Sequence, residues 1–192
     1  EIWRVAATGG EPTLMVRPTP PPGVGGATWV NDSTLLYSGS AGDLWEISDR
    51  GGEARQVVAL PGTGEIADLM RPQALDGGRK LVYSVHGSGG LCGHSSVVVH
   101  VLEADERVTV MEEAGSGIYS PSGHILYSSA NGSVSAIPFD PDRMEVTGPS
   151  FVVETGVWVS YWGCEAQYAV SEGGTFAFAR GSAFENSILS WI

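Results

Sequence analysis

A short apolar run that ends in tyrosine and serine occurs three times along this 192-residue chain. It reads Leu-Leu-Tyr-Ser at 35–38, Leu-Val-Tyr-Ser at 81–84 and Ile-Leu-Tyr-Ser at 125–128, so the tyrosines are 46 and 44 residues apart. Each run is followed by a glycine-containing connection and then by a second apolar run. Such self-similarity constrains the fold more than any single motif, because each copy must form the same supersecondary unit.

Turn signals divide each copy into four short strands. Asn31-Asp32-Ser33, Asp76-Gly77-Gly78 and Asn131-Gly132 are typical turn sequences, and the chain contains 27 glycines and 11 prolines. We predict whole units at 27–60, 72–111 and 117–153, and partial units at 1–17 and 166–192. Four-stranded antiparallel units repeated at roughly 40–50 residues are typical of β-propeller blades, whereas a sandwich lacks this repeat. The predicted fold is an all-β propeller with about four blades represented.

The two ends of the chain are predicted to contribute incomplete blades. Residues 1–17 hold two strands around Gly9-Gly10, and the last unit holds three, the third at 188–191. We favour a part of a larger propeller; the alternative is a closed four-bladed ring in which 188–192 compete with 2–5 for one position. Open blade edges predict self-association. Residues 18–26 should form an irregular connector, and 65–70 at most one helical turn.

Charge and hydropathy limit the partners. The formal net charge of −12 argues against binding to nucleic acid, which needs a cationic surface, and disfavours anionic membranes. The sequence has no apolar run of membrane-spanning length and no signal-peptide layout at Glu1, so targeting signals are expected elsewhere. Cys92 and Cys164 could form one disulfide in an oxidising compartment or stay reduced.

Several further motifs carry a family resemblance. They comprise the Trp-to-Gly-Gly-Glu hairpins at 3–11 and 45–53, Leu-Asp-Gly-Gly-Arg at 75–79, Tyr-Ser-Pro-Ser-Gly-His at 119–124, Ala-Ile-Pro-Phe-Asp at 136–140, Glu-Val-Thr-Gly-Pro at 145–149, Gln-Tyr-Ala-Val-Ser at 167–171 and Leu-Ser-Trp at 189–191. On these residues the chain resembles the TolB-like, WD-repeat-like propeller domain found C-terminal to bacterial serine/threonine kinases. The resemblance implies a sensory or protein-binding platform in a bacterial protein. It leaves open a periplasmic or cytoplasmic location and a membrane-anchored parent.

Local catalytic motifs are missing from the sequence. It contains no Gly-x-Ser-x-Gly elbow, no P-loop and none of the kinase signatures. His86, Cys92, His94 and His100 come nearest to a metal-ligating group, but their spacing does not force them to converge. We therefore expect no metal and no other cofactor.

The strongest binding candidate is the aromatic segment at 158–165. It connects the third blade to the fourth, and in propellers this connection shares a face with the loop between the second and third strands, here 87–96. Trp158, Tyr161, Trp162 and Glu165, with His94 from the loop, are predicted to form a binding rim, because aromatic rings offer large contact area at little entropic cost. The shared face would also allow a Cys92–Cys164 disulfide. The alternative is that Trp158 and Trp162 pack between blades.

Three functional hypotheses follow from the sequence. The favoured one is a non-catalytic propeller that binds a protein or a small molecule. The second is a propeller enzyme, lactonase-, peptidase- or glycosidase-like, whose site collects residues from several blades at the central axis. The third is a structural piece that assembles through its open edges.

Overall fold

The computed structural model describes residues 1–17, 25–39, 42–60, 66–87, 94–160 and 165–181. Within these ranges it has seventeen strands, one 3-10 turn at Asp76–Gly78 and no α-helix. No helix in this part of the chain is long and apolar enough to cross a membrane. The strands are β1 (Ile2–Arg4), β2 (Thr13–Val16), β3 (Ala27–Asn31), β4 (Thr34–Ser38), β5 (Leu44–Ser48), β6 (Arg55–Val58), β7 (Ile66–Leu75), β8 (Lys80–Gly87), β9 (Ser95–Val101), β10 (Glu106–Glu112), β11 (Gly115–Ser120), β12 (His124–Ser128), β13 (Val134–Asp140), β14 (Glu145–Val146), β15 (Phe151–Glu154), β16 (Tyr168–Val170) and β17 (Phe176–Phe178).

The strands form consecutive antiparallel meanders. An N-terminal hairpin, β1–β2, precedes sheet 1 (β3 to β6), sheet 2 (β7 to β10), sheet 3 (β11 to β15) and sheet 4 (β16–β17). In sheet 3 the outer position is shared, because β14 and β15 both pair with β13. The prediction of an all-β chain built from four-stranded antiparallel units is confirmed. The third strand predicted at 188–191 and most of the connector predicted at 18–26 lie outside the described residues.

The helical turn predicted at 65–70 is wrong over the residues described. Ile66–Leu75 is a single ten-residue strand that pairs with β8, with a β-bulge between Met70 and Gln73. Pro72 lies in this bulge, where the ladder does not require its missing N–H. Pairing with a complete neighbouring strand outweighs the local helical preference of this segment.

The residues before the serine in the three tyrosine-containing runs are apolar because the second strands of sheets 1 to 3 are buried on both faces. In sheet 2, Leu81 and Tyr83 pack against side chains of sheet 1, whereas Val82 packs against sheet 3. The same alternation occurs in sheet 3, where Ile125 faces sheet 2 and Leu126 faces sheet 4. Successive side chains of a strand point to opposite faces, so a strand buried on both faces cannot alternate apolar and polar residues. The core therefore consists of layers between successive sheets.

The serine at the end of two of these runs joins one sheet to the next. Ser38 Oγ donates a hydrogen bond to the carbonyl oxygen of Leu69 in sheet 2. Ser84 Oγ accepts one from the backbone N–H of Gly117 in sheet 3, over 3.2 Å. The sheets come close here, since a Cβ built on Gly117 would lie only 2.4 Å from a methyl carbon of Val97. Small polar side chains thus satisfy backbone groups where the sheets meet.

A polar network of two buried residues, Tyr83 and His100, and two exposed ones, Asp105 and Arg107, lies at the opposite end of sheet 2. The ring nitrogens of His100 contact the Tyr83 hydroxyl at 3.3 Å and the Asp105 carboxylate at 2.9 Å, and Arg107 donates to the same carboxylate oxygen. Burial raises the pKa of Tyr83 from 10.0 to about 12. Burial also lowers the pKa of His100. Both shifts mean that deprotonation of Tyr83 and protonation of His100 are less favourable in the folded chain than in free side chains.

We expect Ser84→Ala to lower the free energy of unfolding by about 1–3 kcal/mol, because the buried N–H of Gly117 loses its acceptor. The measurement is urea unfolding followed by fluorescence and circular dichroism. Ser150→Ala, at an exposed position, is the control and should change stability by less than about 0.5 kcal/mol. Equal effects from the two changes would contradict the role given to Ser84.

We also expect stability to fall between pH 10 and 12. The phenol of Tyr83 is neutral when protonated, and its pKa is about 12 in the folded chain against 10.0 when it is free. The unfolded chain therefore ionises first, and each pKa unit corresponds to about 1.4 kcal/mol. Tyr83→Phe should remove about 3 kcal/mol of this decline, measured by urea unfolding at several pH values. A decline of unchanged size in Tyr83→Phe would show that other groups cause it.

Candidate functional site

The first strands of the successive sheets converge. β7 lies against β3 and β4 of sheet 1, and β11 lies against β7, β8 and β9 of sheet 2, while contacts between the outer strands are few. The first strands therefore surround the axis of the array, and their ends are its two mouths. Side chains at these ends can meet although they belong to different sheets.

One mouth carries two residues at matching positions of the repeat. In the ladders, Met70 is opposite Ser84 and Gly115 is opposite Ser128, so Arg71 and Ser116 follow at equivalent places. Both lie in bulges and have positive φ, 50° and 54°. A non-glycine residue in this region costs about 1–3 kcal/mol, and such strain is often found at functional sites. The bulges turn both side chains toward the converging strand ends.

Arg71 reaches from sheet 2 to the start of sheet 4. Its Nη1 donates to the carbonyl oxygen of Ala166 at 2.7 Å and lies 3.3 Å from a carboxylate oxygen of Glu165 and from Ser116 Oγ. Its Nη2 donates to the carbonyl oxygen of Tyr168 at 3.4 Å. The guanidinium group thus binds two backbone carbonyl groups at the start of sheet 4.

Glu165 is the centre of these contacts. Its Oε2 accepts hydrogen bonds from Arg71 and from Ser116 Oγ, the latter over 3.2 Å. Its Oε1 lies 3.1 Å from Nε2 of His86, within ion-pair distance, but the two atoms are not aligned for a hydrogen bond. The side chains of Glu165 and His86 are only 13% and 9% exposed. The carboxylate is therefore fixed on one oxygen only.

A buried hydroxyl lies beside this pair. Ser95 is directly opposite His86 in the β8–β9 ladder, so their side chains share a face. Within the described part of the chain, Ser95 Oγ has no hydrogen-bond partner. Ser95, His86, Arg71, Ser116 and Glu165 are referred to below as the axial cluster. Three sheets contribute to it or border it.

Tyr168 packs against two residues of the axial cluster, Ser116 and Arg71. Its hydroxyl donates a hydrogen bond to the carbonyl oxygen of Ser116, and the Arg71 guanidinium carbon lies 5.8 Å from its ring centre. Burial raises the pKa of Tyr168 well above its usual value of 10.0. The phenol therefore stays neutral and acts as a fixed donor that holds the bulge of β11.

The axial cluster lies at the end of the array where one sheet connects to the next. Backbone hydrogen bonds join the turn after each second strand to the segment entering the following sheet: Leu69 to Gly42, Ala114 to Ser95 and Val157 to Gly132. This is the arrangement that the sequence analysis assumed for the binding rim.

The predicted rim residues are placed as follows. Glu165 belongs to the axial cluster. Trp158 is half-buried, and its backbone pairs with Gln167 and Ala179, which flank sheet 4. His94 is exposed, beside the backbone of Gly87 at the end of β8. Tyr161, Trp162, Cys92 and Cys164 lie outside the described residues, so the disulfide and the aromatic part of the rim stay predictions.

Sequence reasoning did not find Arg71 or Ser116 and considered His86 only as a metal ligand. The signal that was available is the repeat itself. When the serines that end the three tyrosine-containing runs are aligned, Gly26, Arg71 and Ser116 fall at the same position of the repeat. Polar residues at two of these three equivalent strand entrances are unusual in an apolar core. Glu165, by contrast, was found only because it follows an aromatic segment.

The other mouth of the axis holds a cavity of about 450 Å³. Gln73, Asp76, Tyr119, Pro141 and Glu172 are among the residues that line it. Burial, helped by the nearby carboxylates, raises the pKa of Tyr119. Lys80 lies 2.8 Å from Asp76, which compensates part of the negative charge.

Comparison with solved structures identifies the architecture. The chain is similar to the calcium-binding protein regucalcin from Agrobacterium tumefaciens strain C58, with a TM-score of 0.57 and 13% identity over 80% of this chain and 52% of that one. It is similar to an oligogalacturonate lyase in complex with manganese, with a TM-score of 0.55 and 14% identity over 80% and 42%. For the tricorn protease the values are 0.52 and 10% over 82% and 14%. All three are β-propellers. The chain has the β-propeller fold.

These similarities show the fold alone, since no identity exceeds 14%. The chain spans between 14% and 52% of the length of the three propeller proteins. No protein-family model matches the chain, and no curated protein sequence matches it.

We expect Arg71→Met and Glu165→Gln each to lower the free energy of unfolding by about 1–3 kcal/mol, because each removes a charge-assisted contact between sheets. In a double-mutant cycle the two changes should couple by about 1 kcal/mol or more. The pair Arg143–Glu145, 2.7 Å apart with side chains 70% and 47% exposed, is the control. Its coupling should stay below about 0.5 kcal/mol. Equal coupling in both pairs would mean that the axial contact is an ordinary surface ion pair.

Proposed function

We propose that this chain is a non-catalytic binding propeller and that its ligand, a small molecule or a segment of a protein, binds at the mouth that carries the axial cluster. The observation that carries the proposal is the convergence at one mouth of Arg71 and His86 from sheet 2, Ser116 from sheet 3 and Glu165 from the segment before sheet 4. A small number of converging polar groups is a usual feature of ligand sites.

The chemistry of the axial cluster favours binding over catalysis. Its two hydroxyls, on Ser95 and Ser116, are 3% and 0% exposed, so neither can attack a bulky substrate. Arg71 donates hydrogen bonds to two carbonyl groups and to Glu165, and these contacts hold its side chain in place. A rigid set of donors and acceptors suits recognition, because little side-chain freedom is lost on binding.

The resemblance to kinase-associated TolB-like propellers supports a sensory setting for this binding. In that setting the propeller would recognise a ligand or a protein and report to a kinase domain of the same bacterial protein. The reading frame of the complete gene tests this part of the proposal. A frame that encodes the propeller with no kinase would contradict it and leave the binding function standing.

One observation favours the alternative of a propeller enzyme. His86 and Glu165 form an imidazole–carboxylate pair at the axis, which is a set that general base catalysis uses. The similar propellers include a lyase and a protease as well as a calcium-binding protein, so the fold does not choose between binding and catalysis. Turnover of lactone, peptide or glycoside substrates that is lost in His86→Asn but not in Trp158→Ala would establish the enzyme instead.

The binding proposal is tested by thermal unfolding of the protein with a panel of amino acids, dipeptides, sugars and organic acids. A ligand present at 100 times its dissociation constant should raise the free energy of unfolding by about 2.7 kcal/mol. We expect Glu165→Gln and Trp158→Ala to weaken such a ligand by about tenfold or more, which corresponds to about 1.4 kcal/mol.

Glu172→Gln, at the opposite mouth, is the matched control and should leave the affinity unchanged. A ligand that is weakened by Glu172→Gln and not by Glu165→Gln would move the binding site to the other mouth. A panel without any stabilising compound, together with hydrolytic turnover, would reject the proposal.

A further inference from the structure

We propose that the axial cluster binds a divalent first-row metal ion, with His86 Nε2 and Glu165 Oε1 as its protein ligands and Ser95 Oγ beside them. This inference deepens the proposed function by naming the ligand class of that site, and it rests on the proposed function only for the location of the site.

In the described part of the chain two His–carboxylate pairs have similar lengths, and only one of them is a hydrogen bond. His100 Nε2 and Asp105 Oδ1 lie 2.9 Å apart in hydrogen-bond alignment, and the second ring nitrogen of His100 contacts the Tyr83 hydroxyl. His86 Nε2 and Glu165 Oε1 lie 3.1 Å apart without that alignment. The ring nitrogen and the carboxylate oxygen of the second pair are therefore close without being directed at each other.

The separation of 3.1 Å selects the kind of group that could bridge the pair. If a metal ion lay about 2.1 Å from both atoms, the angle Nε2–metal–Oε1 would be roughly 95°, between the octahedral and tetrahedral values. If a water oxygen or an ammonium nitrogen bridged the pair with hydrogen bonds of about 2.9 Å, the angle at that bridging atom would be only roughly 65°. This angle is too narrow for two hydrogen bonds donated from one atom. The geometry therefore fits a metal ion better than it fits a hydrogen-bonded group.

The surroundings of the pair have the features of an outer coordination shell. The other carboxylate oxygen of Glu165 is held by Arg71 and by Ser116 Oγ, and a ligating carboxylate is usually hydrogen-bonded in this way. Ser95 Oγ, 3% exposed as a residue and without a hydrogen-bond partner in the described ranges, faces the same side as His86. Imidazole and carboxylate together suit Zn²⁺, Co²⁺ and Mn²⁺ rather than Ca²⁺ or Mg²⁺.

Two protein ligands leave the remaining coordination positions to water or to the ligand of the proposed function. Sites that keep positions open are the ones that bind or activate a second molecule through the metal. Arg71 contacts Oε2 of Glu165, whereas Oε1 accepts no hydrogen bond in the described ranges, so its lone pairs are available to a metal ion. The overall charge of −12 favours the approach of a cation.

The test is a titration of the chelator-treated protein with Co²⁺, followed by the visible absorption that Co²⁺ acquires when nitrogen ligands replace water, and with Zn²⁺ as competitor. We expect saturable binding of one Co²⁺ per chain. His86→Ala and Glu165→Gln should weaken it by more than about 100-fold, and Ser116→Ala, in the outer shell, by about 10- to 100-fold.

Two other positions of the chain provide matched controls. His124→Ala removes a histidine of sheet 3 that contacts Ser122, and Asp105→Asn changes the aligned pair of sheet 2. Neither should change the affinity for Co²⁺. His94→Ala tests whether the metal ion binds near residue 94 instead. Loss of Co²⁺ binding in His94→Ala, with binding retained in His86→Ala and Glu165→Gln, would overturn the assignment.

A measurement on the unmodified protein covers the case in which His86→Ala or Glu165→Gln does not fold. In spectra of protein labelled with ¹⁵N-histidine, Zn²⁺ should shift the ring nitrogens of one of the four histidines and leave those of His100 in place. No shift and no Co²⁺ absorption at millimolar metal would overturn the proposal. If the protein binds the metal ion but none of the amino acids, dipeptides, sugars and organic acids, the proposed function is rejected and this inference stands. If it binds one of those compounds but no metal ion, this inference is rejected and the proposed function stands.

Discussion

Both faces of each sheet carry apolar side chains, and a sheet cannot bury both without a neighbour on either side. Val82, Val97 and Val99 of sheet 2 have no exposed surface and belong to the layer shared with sheet 3. Leu81 and Tyr83 of the same sheet belong to the layer shared with sheet 1. Burying an apolar side chain of this size contributes about 1.5–3 kcal/mol, so each layer outweighs any local preference. The stacking of sheets, and hence the convergence of their first strands, follows from this two-sided burial.

Two-sided burial also explains why polar groups gather where they do. Backbone groups near the ends of the first strands that lack a partner within their own sheet must be satisfied by side chains of another sheet. Ser38 and Ser84 do this with short hydroxyl side chains, whereas Arg71 does it with a long cationic one. Once a guanidinium group is drawn into this position, a carboxylate close to it lowers the cost of its burial, and Glu165 supplies it. The axial cluster is therefore as much a part of the architecture as it is a candidate site.

The same contacts hold the axial cluster in one geometry. Ser116 Oγ accepts the backbone N–H of Ala166 and donates to Glu165, and the hydroxyl of Tyr168 fixes the bulge in which Ser116 lies. A group held from several sides loses little freedom when a ligand arrives, which is the physical basis of pre-organised recognition. Propellers support binding proteins and enzymes alike, so the side chains at the axis, rather than the fold, carry the functional argument.

The sequence by itself determined the repeat, the all-β class and most turns. Tyrosines spaced by 46 and 44 residues and turns such as Asn131-Gly132 are local signals, and a strand buried on both faces leaves an unmistakable apolar run. Only the tertiary structure decided that 66–70 belong to β7, because pairing with β8 overrides the local preference of that segment. It alone also decided the axial cluster: Arg71 and Glu165 are 94 residues apart in the chain. A repeat specifies what each sheet looks like, but the distance between side chains of different sheets depends on how the buried faces pack, and no single stretch of sequence encodes that packing.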